Sequence, residues 1–156
     1  MANASASSRY NLANRKIYNE VKEKALPFWT QKIREAAGRN DITIVLDETN
    51  MALLDEDHKE VELSWLRKDG SYNDGQFYEG ILKGVQKICS DKDGKEAFQA
   101  IKEIVLSSVS VEDANKYVMS NLVRDGSKIV YHYNVNVGIG GIINHWAWTE
   151  FLETNL

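Results

Sequence analysis

The chain has 156 residues, 43% of them apolar and 27% charged, which is ordinary globular usage and excludes a wholly disordered polymer. Its formal net charge is −4, and its 19 lysines and arginines are spread along the chain, with no more than two in succession. No basic patch exists to neutralise a run of phosphates, so nucleic-acid binding is not expected, and no apolar run is long enough to cross a bilayer.

The length suits one globular domain over residues 9–156. Residues 1–8 are small and polar without periodicity and read as a disordered tail. They contain no apolar signal core, and the lone Cys89 cannot form an internal disulfide; both features fit a cytoplasmic location. Four tryptophans and a single proline favour an aromatic-rich core over an extended linker.

In chain order, Tyr10, Ala13, Ile17, Val21, Ala25, Phe28 and Ile33 recur at three- and four-residue spacing, the mark of one face of a long helix. Pro27 should kink or divide it, and Gly38 should end it. Ile42 to Leu46 reads as a strand. Val61, Leu63 and Trp65 alternate with polar residues and read as a second strand, joined to the first through the charged turn Asp55-Glu56-Asp57-His58. Asp69-Gly70 and Asp74-Gly75 mark a loop.

Three helical segments follow, carried by Phe77, Ile81, Val85 and Ile88, then by Phe98, Ile101 and Val105, then by Ala114, Tyr117, Val118 and Leu122. Gly94 separates the first two, Ser110 with Asp113 caps the third, and Gly126 follows it. The period then becomes two. Ile129, Tyr131, Tyr133, Val135 and Val137 share one strand face and His132, Asn134 and Asn136 the other. Beyond Gly138, Gly140 and Gly141, Trp146 and Trp148 suit a return strand, with a short helix as the alternative. The expectation is an α+β fold: a long N-terminal helix, a small mainly antiparallel sheet from hairpins near residues 42–66 and 128–149, and three central helices packed on it.

No complete catalytic motif is present. Asp47, Glu48, Asp55, Glu56 and Asp57 with His58 have the hard-oxygen chemistry of a cation site, but the dense part reads as a solvated turn. Asp47 differs, because it ends an apolar strand, where a working carboxylate is often placed. Asp91-Lys92-Asp93-Gly94 fails the calcium-loop pattern, since Cys89 and Ala100 would stand at the first and twelfth ligand positions. The 138–141 glycines match no full phosphate motif. Gly80 and Gly84, four apart on a predicted helix, suggest close packing.

Two functional readings remain. An acidic chain rich in aromatics suits a small binding or interaction protein of the inhibitor, antitoxin-like or adaptor type, with a protein partner or self-association through Tyr131, Tyr133, Trp146 and Trp148. Alternatively, His132, Asn134, Asn136 and His145, with Asp47, line a pocket for a small ligand or a reaction. No metal or other cofactor is expected.

Overall fold

The computed structural model describes residues 10–49, 54–67, 76–109, 111–114 and 116–156 and gives an α+β fold. The expected tail of residues 1–8, the loop at 69–75 and the cap at Ser110 lie outside the described residues. The long N-terminal helix is present. Helix α1 (Leu12–Glu20) starts at Asn11, whose side chain accepts from the Asn14 N–H, and runs through a π turn (Val21–Ala25) into α2 (Leu26–Ala37). Pro27, in the first turn of α2, has no N–H to return to the preceding turn. That turn widens, with the Leu26 N–H donating to the Val21 carbonyl five residues back. The added residue turns both Ala25 and Leu26 into the core. Gly38 closes α2 at φ 68°, as expected.

Strand β1 (Thr43–Leu46) is where the sequence places it, but the second half of the expected 42–66 hairpin is helix α3 (Glu56–Leu66). Asp55 caps it by accepting from the His58 N–H, and Glu56 and Asp57 occupy its first turn, so the supposed charged turn is a helix N-terminus. Its buried residues Lys59, Glu62, Leu63, Trp65 and Leu66 follow helical spacing, while Val61 is exposed.

Of the central helices, α4 (Gln76–Ile88) is as expected. The second, α5 (Lys92–Phe98), stops before Ile101, and Glu103–Ser108 is strand β2. Gly94 lies inside α5, where its N–H is capped by Asp91. In place of the third, a short α6 (Val111–Ala114) precedes strand β3 (Asn121–Asp125). Gly126, at φ 61°, opens the two-residue loop from β3 to β4 (Lys128–Tyr133). A 3-10 turn (Val135–Gly141) and α7 (His145–Asn155) follow, so Trp146 and Trp148 are helical.

The sheet runs β1-β2-β4-β3, with β1/β2 and β2/β4 parallel and β3/β4 antiparallel. The expected mainly antiparallel sheet is therefore corrected to a mixed one, and its hairpin spans 121–133 rather than 128–149. Parallel strands need crossovers, which α3 to α5 supply between β1 and β2. One face carries Ile44, Ile104, Leu106, Ile129, Tyr131 and Tyr133, all buried in the core shared with the helices. On the other, the register aligns Val45, Val105, Val130 and Val123 in one row, with Val123 exposed.

Helix α4 meets α7 closely through Gly80 and Gly84, where an added Cβ would stand 2.6 Å from the Ile143 carbonyl and 2.6 Å from the Trp148 Cβ. The close packing expected of these glycines is found. No helix among the described residues is long and apolar enough to cross a membrane. Gly84→Ala should lower the unfolding free energy by about 2 kcal/mol in urea titrations, overpacking outweighing the gain in helix propensity.

Candidate functional site

The three parallel strands end on one edge of the fold, and their last residues bring Asp47, Ser107, Ser108, Tyr133 and Asn134 to that edge. The carboxyl ends of parallel strands are where open α/β sheets place ligands. Asp47 continues the β1 ladder, its N–H donating to the Leu106 carbonyl, and its carboxylate accepts from the Ser107 hydroxyl at 3.0 Å. Helices α1 and α3 flank this edge. Tyr18 donates to Glu48, as does Lys22 at 2.5 Å, while the Tyr10 ring lies tilted beside that of Tyr18 with centroids 5.1 Å apart. Burial works to raise the Glu48 carboxyl, but the hydrogen bonds from Lys22 and Tyr18 outweigh it and hold its pKa low.

Glu62 is the exceptional group. It projects from α3 and is fully buried, with the Tyr133 hydroxyl beside its carboxyl. Among the described residues, no hydrogen bond of good geometry reaches either Glu62 oxygen, nor the Tyr133 and Tyr10 hydroxyls. Burial, reinforced by the charge of Asp47 and opposed by Tyr133 and Lys59, pushes the Glu62 pKa up to about 8. At neutral pH this carboxyl is mostly protonated. Burial and the proximity of Glu62 also raise the Tyr133 and Tyr10 hydroxyls, so both stay protonated. Lys59, itself buried, lies 3.5 Å from Glu56 and 5.2 Å from the Tyr10 ring centre. In a native chain a carboxyl so poorly satisfied is costly and points to a task.

The residues expected to line a His/Asn pocket are dispersed. His132 falls in a sheet row between Ser107 and Asn121, and continuing the β1 register places Asp47 on the same row. Asn134 is buried and fully used: its amide donates to the carbonyls of Asp113, Lys116 and Val118 at 3.3, 2.9 and 2.9 Å, and its oxygen accepts from the Asn136 N–H. It therefore staples Asp113, Lys116 and Val118 to the end of β4. No hydrogen bond or ion pair joins His145, the first residue of α7, to His132, Asn134 or Asn136 among the described residues. Tyr131, Tyr133 and Trp148 of the expected aromatic interface are fully buried, and only Trp146, 72% exposed, has surface to offer.

Among the described residues, no group of three His, Cys, Asp or Glu side chains converges as a cation site would require. Asp55 caps α3 and Asp91 caps α5, accounting for two of the acidic motifs. The central residue, Glu62, escapes sequence reading because a strand period puts it on the solvent side of Leu63. Helical spacing from Lys59 turns it inward. Comparison with protein families, curated proteins and solved structures found no match for this chain.

Because the folded Glu62 pKa of about 8 lies above its ordinary value of 4.5, the unfolded chain releases this proton first as pH rises. The Glu62 contribution is most favourable below pH 4.5 and is lost progressively up to about pH 8. Glu62→Gln should remove this loss, so its stability relative to wild type should climb with pH by up to about 1.4 kcal/mol per unit in urea titrations. Asn134→Ala, which strands several buried carbonyls, should cost about 3 kcal/mol by the same measurement.

Proposed function

We propose that this chain is a small-ligand-binding domain equipped for acid–base chemistry, with its site at the carboxyl ends of β1, β2 and β4. The observation that carries this reading is Glu62, a buried carboxyl that lacks hydrogen bonds of good geometry. A neutral carboxyl and two phenols, Tyr133 and Tyr10, form a set of O–H donors in a low-dielectric setting. Such donors suit a carbonyl oxygen, or the oxyanion that develops from it, because they gain strength as negative charge appears. Asp47, whose carboxylate accepts from Ser107, falls by register on the other sheet face from Tyr133 and acts on this donor set through its charge, which helps keep the Glu62 carboxyl protonated. The ligand class is therefore a small molecule with a polarisable carbonyl or phenolic oxygen.

A second reading rests on Trp146. Its ring is exposed and lies 4.3 Å from that of His145, the kind of amphipathic anchor that protein interfaces use. It supports an adaptor or inhibitor role involving a protein partner on the α7 side of the molecule.

The ligand reading is tested with para-nitrophenol, whose ionised form is coloured and mimics an oxyanion. Wild-type protein should bind it saturably with a spectral shift toward the ionised form. Glu62→Leu and Tyr133→Phe should each weaken binding at least tenfold while circular dichroism stays unchanged. Saturable binding that survives both substitutions would place the ligand elsewhere.

A further inference from the structure

The two edges of the sheet are treated differently. At β1, the outward Ile44 N–H donates to the Thr30 hydroxyl at 3.2 Å, and the Ile42 carbonyl accepts from Arg34 Nε at 2.7 Å. Helix α2 thus caps two of the groups on which another strand would pair. At β3 no equivalent is found among the described residues. A two-residue loop closes on a hydrogen-bonded pair, here Asp125 with Lys128, which turns Asn121, Val123 and Asp125 toward β4 and leaves Leu122 and Arg124 pointing their backbone groups outward. Among the described residues, nothing hydrogen-bonds to those outward groups. The Arg124 side chain is occupied elsewhere, on the carbonyls of Gly126 and Asn155. Immediately before this edge, Tyr117 and Met119 are 82% and 64% exposed.

We infer that two copies of this chain associate edge to edge through β3, antiparallel about Val123, to form one continuous sheet. The strand is self-complementary in that register. Leu122 faces Arg124 of the second copy, and each of these two symmetry-related pairs exchanges two backbone hydrogen bonds. Val123 meets its own equivalent in a pair without backbone hydrogen bonds, where side chains approach most closely. The row Val45, Val105, Val130, Val123 then continues into the second copy. Asn121 faces Asp125, an amide opposite a carboxylate, and no like charges oppose one another. The contact is isologous and closed, so it stops at two copies; the capped β1 edges prevent further growth. This inference stands on different residues from the ligand site and does not depend on it.

The test is the mass of the full-length protein by light scattering over a dilution series. Wild type should be a dimer that dissociates on dilution. Val123→Lys, which opposes two ammonium groups at the two-fold axis, should be monomeric with unchanged circular dichroism, since Val123 is 43% exposed. The register is read separately by Val123→Cys in a Cys89→Ser background. A pair without backbone hydrogen bonds has Cα atoms about 4.5 Å apart, within disulfide range, so mild oxidation should link the two copies. A wild-type chain that is monomeric at every concentration would overturn the inference, as would a Val123→Lys dimer or a Val123→Cys variant that does not cross-link.

Discussion

The inward face of β4 is the constraint on which the rest of the structure depends. Tyr131 stacks on Phe77 of α4 at 4.9 Å between ring centroids, Tyr133 meets the same ring edge-on, and Trp148 of α7 packs edge-on against Tyr131. One strand therefore fixes two helices at once. The Tyr131 hydroxyl also accepts from the Ile143 N–H, which positions the start of α7, and Gly80 and Gly84 let that helix lie close against α4. Directional aromatic contacts of this kind add to the gain from burial and select one packing among several of equal area. Because Tyr133 is the last residue of this strand, the packing that builds the core also sets the position of a hydroxyl at the candidate site.

That continuity makes the Glu62 carboxyl difficult to dismiss as incidental. A solvent-facing glutamate could drift without consequence, but Glu62 is held between α3 and the end of β4, where it raises the cost of folding and receives weak compensation. Neighbouring acids are handled differently. Glu48 is paired with Lys22 and accepts from Tyr18, Glu56 has Lys59 and the Asn14 amide, and Asp55 is absorbed in a cap. Satisfying acids is evidently within reach of this sequence, so leaving one partly unsatisfied among protonatable hydroxyls is a local departure of the sort that function explains better than stability does.

Much of the architecture was legible where the physics is local. The N-terminal helix, its end at Gly38, strand β1, helix α4 and strand β4 follow from periodicity and from a glycine that can adopt positive φ. The misreadings share a cause: short windows in which two periods fit equally well. Val61, Leu63 and Trp65 satisfy a period of two, while Lys59, Glu62, Leu63 and Leu66 satisfy a helix; the Asp55 cap with Glu56 and Asp57 behind it was the deciding signal. Ile104, Val105 and Leu106 form the continuous apolar run of a parallel strand, which periodicity alone does not separate from a buried helix. The site was less legible than the fold. Glu62 and Tyr10 meet only through tertiary packing, and Asn134, a plausible ligand residue by type, is consumed by three carbonyls that no spacing rule brings to it.

The one-sided arrangement of the sheet links these features. Helices cover the face that carries Tyr131 and Tyr133, while the valine row lies on the opposite face between charged or polar rows. Such a sheet is tolerable at four strands if its edges do not recruit other chains indiscriminately. Thr30 and Arg34 do this for β1 by occupying its outward backbone groups. At β3 the strand is short, so its five residues offer a small set of hydrogen bonds, and in the inferred antiparallel pairing the order Asn-Leu-Val-Arg-Asp would set its acceptor end against its amide end. An edge restricted in this way favours a closed pair over open growth, which is how an exposed strand can be kept without becoming an aggregation site.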